Sequence, residues 1–188
     1  MSCFRAYPLL VILPLTFLIT SFQSKPLPDI DQALVGSYIG TLTYKDYSDN
    51  SLVRLPTLLR ISGNKEGGGL TFRYVYDDGP NKVVQDKDFV AVDLKGATYT
   101  VESADDKSKT IYVIEGADRL KTDGTGKILL LGKGTENKAD VEIRQTLTIG
   151  KEKLSLLRET KLAGGAYKFR HEYSFLRVVQ PKPGSIAN

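Results

Sequence analysis

The chain has a single cysteine, Cys3, a single histidine, His171, and no tryptophan. Cys3 precedes everything that reads as a folded domain, so that domain has no disulfide, no thiolate nucleophile and no cysteine metal ligand. A serine-hydrolase triad needs a nucleophile, a base and an orienting acid; His171 is the one available imidazole, and no Gly-x-Ser-x-Gly elbow accompanies it. His171-Glu172 opens like a zinc-protease motif, but position 175 is Phe where a second His belongs. Gly124-Thr125-Gly126-Lys127 is followed by Ile128, and Lys121 stands where a phosphate loop needs its upstream glycine. The expectation is a protein that is not an enzyme and carries no resident cofactor.

Charge is equally unconcentrated. The 26 Lys plus Arg and 22 Asp plus Glu are scattered, with no run of five of one sign. A nucleic-acid or membrane-surface protein gathers its cations into a strip, so neither partner is expected. The acid pairs Asp77-Asp78 and Asp105-Asp106 lie in turns, where carboxylates accept hydrogen bonds from local backbone; calcium binding is the competing reading. There is no Asn-x-Ser/Thr sequon.

What is present begins with a three-part N-terminus. Met1 to Tyr7 carries one cation, Arg5, and no acid; Leu9 to Ile19 is nearly all apolar; Thr20-Ser21-Phe22-Gln23-Ser24 is small and polar apart from Phe22. This is the layout of a secretory signal peptide over residues 1–24, with cleavage after Ser21 or Ser24. The apolar run is shorter than the about 20 residues that cross a bilayer. Periplasmic or secreted export follows, with no stable membrane insertion after cleavage; an uncleaved N-terminal anchor is the alternative. A spacer and short helical turn over 25–34, with Asp29 as N-cap, leads to a single β domain over 35–180. Residues 181–188 form a tail opened by Pro181 and Pro183.

Within 35–180 apolar residues recur at every second position between turn signals, the pattern of strands. Strands are expected at Val35–Lys45, Leu52–Ser62 (with Pro56 forcing an edge or bulge), Leu70–Tyr76, Lys82–Gln85, Phe89–Leu94, Thr98–Glu102, Thr110–Glu115, Ile128–Gly132, Val141–Ile149 and Lys153–Leu162. A last strand contains Tyr167 to Phe175, where strict alternation puts Tyr167, Phe169, His171, Tyr173 and Phe175 on one face. Short turns between successive strands build an up-and-down antiparallel meander. Closing an 8–10-stranded barrel removes its edges; a sandwich is the other all-β solution.

A short helical turn, then Leu34-Val35-Gly36-Ser37-Tyr38 opening the first strand, then a meander ending in an Arg-bearing strand, resembles the calycin group of lipocalins and fatty-acid-binding proteins. The calycin opening is Gly-x-Trp, and a late basic residue packs across that Trp. Here Tyr38 stands in the Trp position, with Arg170 or Arg177 as the late partner. The resemblance implies a barrel over roughly 29–180 with a ligand cavity inside. In one branch, the haem-binding nitrobindin-like barrels, a late histidine ligates iron, and His171 is the residue onto which that role carries over.

Polar residues on inward faces are the candidate site. Gln145 lies in the row Val141-Ile143-Gln145-Leu147-Ile149, and Arg158 in the row Leu154-Leu156-Arg158-Thr160. If the last three strands are neighbours, Gln145, Arg158 and His171 line one wall. Tyr173 shares the row of His171, and Tyr38, Tyr44 and Tyr74 join from elsewhere. A buried guanidinium needs a partner. Three readings follow: a small amphipathic or apolar molecule bound among aromatic walls, haem on His171, or a filled structural or interaction module whose polar groups satisfy one another.

Overall fold

In a computed structural model the described residues are 29–46 and 48–179. The expected signal segment, most of the spacer and the tail lie outside them. α1 (Ile30–Leu34) precedes ten strands: β1 (Gly36–Lys45), β2 (Leu52–Gly63), β3 (Leu70–Asp77), β4 (Val83–Asp93), β5 (Thr98–Ser103), β6 (Lys109–Glu115), β7 (Gly126–Glu136), β8 (Ala139–Ile149), β9 (Lys153–Leu162) and β10 (Lys168–Arg177). Each strand pairs antiparallel with its sequence neighbour, and β1 pairs with β10 to close the ring. The architecture is an all-β, ten-stranded up-and-down barrel with one short helix on the N-terminal side, and the sandwich alternative is ruled out.

The two ends of the ring differ. At one end α1 turns its buried Ile30 and Leu34 into the lumen. Asp29 caps the helix, its side chain accepting from the Gln32 amide at 3.0 Å. The turn at Gly124 lies against the helix so closely that a Cβ there would overlap the Asp29 carbonyl and crowd the Ala33 methyl at 2.8 Å. Above this plug the lumen is filled by apolar side chains, among them Leu59, Ile61, Leu70, Ile128, Leu130 and Phe175. The far end, where β1 finishes at Lys45 and β3 at Asp77, carries the polar inward residues.

Three expectations change. The residues expected to divide into strands at 82–85 and 89–94 form one strand, β4. Alternation is never lost there: Val84, Asp86, Asp88 and Val90 sit opposite Tyr76, Tyr74, Phe72 and Leu70 of β3, but two of the inward positions are charged. Similarly, β7 extends beyond the expected Ile128–Gly132 at both ends, because its flanking Gly, Lys and Thr residues pair with β8 without adding to the apolar signal.

The third change is in β10. The register shifts between Phe169 and His171, so the alternation from Tyr167 to Phe175 is interrupted by a bulge at Arg170. Bulges insert one unpaired residue and reverse the facing of everything beyond it. His171 pairs with Arg158 and faces the lumen, whereas Phe169 pairs with Glu159 and faces out. Tyr167 is also outside, with the Arg144 guanidinium 4.1 Å and the Lys161 ammonium 5.2 Å from its ring centroid. Pro56 keeps its place opposite Thr41 of β1, while pairing of β2 with β3 starts only at Thr57. Proline thus sits where β2 overhangs its neighbour and no ladder donor is required on that side.

Candidate functional site

The inward residues of β8, β9 and β10 come into line as their alternation predicts. Gln145 pairs with Arg158, and Arg158 with His171. One step further round the ring His171 pairs with Tyr44 of β1. The first three line a cavity of about 250 Å³ in the upper half of the barrel, together with Tyr74, Tyr76 and Tyr173. Tyr74 lies 5.3 Å from Tyr173 between ring centroids, and the Tyr76 and Tyr173 hydroxyls are hydrogen-bonded at 2.9 Å. Phe72, Tyr99 and Tyr112 complete the aromatic wall.

Two expected site residues are elsewhere. Tyr38 does not reach the cavity: it is buried at the plugged end, donating its hydroxyl to the Leu34 carbonyl at 2.7 Å. Arg177 lies over its ring, 4.8 Å from guanidinium carbon to centroid, and donates to the Val35 and Ala33 carbonyls. Of the two candidates for the late basic partner, Arg177 is therefore the one that packs on Tyr38. Arg170 instead pairs with Glu136, whose carboxylate also accepts from the Thr160 hydroxyl at 2.8 Å. Tyr44, although level with His171, is not part of the cavity lining.

The opposite wall was missed by the sequence reading. Asp86 and Asp88 of β4 line the cavity, with Ser103 and Asp105 at the end of β5 and in its turn. The signal was available: Asp86 and Asp88 keep the period of Val84, Val90 and Val92. A charged pair in that row reads as a break in a strand unless charge is allowed on an inward face. The other acids behave as turn residues. Asp77 accepts from the Gly79 amide and Asp106 from the Ser108 amide, at 3.2 and 2.9 Å, and Asp78 pairs with Lys82. Among the described residues no cluster of three or more His, Cys, Asp or Glu is grouped to hold a metal ion.

Electrostatics separate the two walls. Burial, then the Arg158 and Arg170 guanidinium groups, pushes the His171 imidazole down to about 4, so it is neutral at physiological pH. Burial, then the neighbouring Asp86, Asp105 and Asp106 carboxylates, pushes Asp88 up to about 6. Among the described residues Arg158 has no hydrogen-bond or ion-pair partner. Burial raises the Tyr112 phenol above its ordinary value, and the Arg158 guanidinium, then a Gln145 hydrogen bond, offset part of that rise. A neutral His171 would suit iron, but the fit is poor. A space of about 250 Å³ is below the roughly 300–1,000 Å³ of pockets for drug-sized ligands, and a cationic guanidinium adjoins the imidazole.

No protein-family model matches the chain, and no curated protein matches it. Among solved structures the chain is similar to the S-type phycobiliprotein lyase CPES from Guillardia theta. The TM-score is 0.51 at 12% identity, over 80% of this chain and 90% of that one. At this identity the likeness is one of fold.

Proposed function

We propose that this is a non-enzymatic calycin-like binding protein that holds a small amphipathic molecule in the upper lumen, its carboxylate or other anionic group on Arg158. The observation that carries this reading is the Arg158 guanidinium, aimed into a cavity and without a protein partner among the described residues. Arg158 is half-buried, and a guanidinium partly drawn out of water is stabilised by a partner that completes its hydrogen bonds. A bound anion does so with a bidentate pair, the geometry for which guanidinium is suited. Tyr74, Tyr173 and Phe72 supply apolar wall for the rest of the ligand, and Gln145 and neutral His171 supply hydrogen bonds beside Arg158. A wholly apolar ligand is disfavoured, because it would dry these groups without pairing them. The calycin assignment is supported by Tyr38 and Arg177 meeting where that group places its Trp and late basic residue.

Export fits the same reading. The apolar run Leu9–Ile19 behind a single cation supports a signal peptide, and the thiol-free domain needs no redox protection outside the cell.

The test is displacement of an anionic fluorescent probe, an anilinonaphthalene sulfonate, by medium-chain carboxylates. Binding by the wild type and at least tenfold weaker binding by Arg158→Gln is expected. Equal affinity in the two proteins would remove Arg158 from the site and the proposal with it.

A further inference from the structure

Arg158 is not the only charge in the cavity. In a closed ring of ten strands β4 stands five places from β9 in either direction, so Asp86 and Asp88 face Arg158 from the opposite wall. Ten strands about 4.8 Å apart, tilted by roughly 40°, enclose a ring about 20 Å across from backbone to backbone. The two walls are therefore too far apart to pair directly, and no ion pair joins Arg158 to either acid among the described residues. Lys87 also borders the cavity, but its ammonium lies 4.6 Å over the Phe89 ring, and among the described residues no ion pair joins it to Asp86 or Asp88. What remains is a lumen with a cation on one side, carboxylates on the other, and tyrosine rings between.

We infer that the cavity selects a small zwitterion: a ligand whose anionic group meets Arg158 and whose ammonium or other cationic group meets Asp86 and Asp88. This rests on the carboxylate seat proposed above and specifies the ligand's other end. The argument is one of desolvation. A simple fatty acid entering the lumen would pair Arg158 but displace water from Asp86 and Asp88 without replacing its hydrogen bonds. A simple amine would do the reverse at Arg158. Only a ligand with both charges leaves neither wall unpaired, and the penalty on the others produces selectivity. The modest volume of about 250 Å³ matches a ligand of amino-acid size better than a long acyl chain. Ser103 and Asp105 at the mouth add acceptors for the cationic end.

The experiment is isothermal titration of the wild-type protein near neutral pH with three matched probes: ε-aminocaproate, caproate and hexylamine. The inference expects ε-aminocaproate to bind at least tenfold more tightly than either monofunctional probe. In the double variant Asp86→Asn, Asp88→Asn that advantage should disappear while caproate binding is retained. Caproate binding as tightly as ε-aminocaproate in the wild type would overturn the zwitterion and leave the Arg158 seat standing. No binding of any probe, with the fold intact by circular dichroism, would overturn both. The wild-type comparison needs no variant, so a variant that fails to fold does not protect the inference.

Discussion

Arg177 lies with its guanidinium carbon 4.8 Å from the centroid of the Tyr38 ring, and the same guanidinium donates to the Ala33 and Val35 carbonyls. One side chain thus ties the last strand to the first strand and to the end of α1. Removing it opens the plugged end and leaves two carbonyls short of a donor. Arg177→Ala is expected to cost about 3 kcal/mol and Arg177→Lys about 2, since an ammonium cannot reproduce the fork. Urea midpoints measure both; a lysine variant as stable as wild type would contradict the role of the fork.

Tyr38→Phe isolates the other half of the pair. It keeps the ring under Arg177 and removes the hydroxyl that donates to the Leu34 carbonyl at 2.7 Å. About 1 kcal/mol of stability should be lost, with little change in ligand affinity because Tyr38 is not in the cavity.

The β1–β10 seam has little tolerance for bulk. At Gly40 a Cβ would overlap the Ser174 carbonyl oxygen and stand 2.8 Å from both the Phe175 backbone and its ring. Gly40→Ala is expected to destabilise by about 3 kcal/mol, the strands having no room to separate without losing pairing on one side. Thermal unfolding measures this, and a melting temperature unchanged from wild type would show that the seam relaxes freely.

Asp88 and His171 make opposite contributions to the pH dependence of stability. For Asp88 the folded pKa is raised to about 6, so the unfolded chain gives up its proton first. Its destabilising contribution therefore grows as pH rises from about 4 to about 6, and is complete above that. Asp88→Asn should match wild type near pH 4 and exceed it by about 1–2 kcal/mol at pH 7.5, after allowance for the partial exposure of the carboxyl.

For His171 the folded pKa is lowered to about 4, so the unfolded chain takes up the proton first as pH falls. The stability conferred by a neutral imidazole is present above about pH 6.5 and is lost progressively towards pH 4, by up to about 3 kcal/mol. His171→Gln should flatten that acid limb. In the wild type the two trends oppose each other between about pH 4 and 6, so each should be plain only when the other residue is replaced.

Much of the barrel was legible because alternation in β1, β3, β8 and β9 is carried by apolar residues against polar ones, and short turns leave few ways to connect them. The row of Gln145, Arg158 and His171 could be read because three neighbouring strands each put one polar residue on an inward face. What was hidden has specific causes. The bulge at Arg170 leaves no mark in a run whose residues alternate perfectly through it, so period alone puts Tyr167 and Phe169 on the wrong side. Asp86 and Asp88 read as a break in β4, because inward charge resembles a loop when only hydrophobicity is counted. The place of Tyr38 depends on which end of the barrel α1 closes, a matter of where Leu34 is buried and accepts the Tyr38 hydroxyl rather than of period.

The measurement that tests the central claim most directly is native mass spectrometry of the protein isolated from its own host. The account predicts a reproducible excess mass that disappears on denaturation and is absent from Arg158→Gln prepared in the same way. A mass equal to the polypeptide alone, unchanged after exposure to host extract and small zwitterions, would contradict it, and the lumen would then be a structural feature without a ligand.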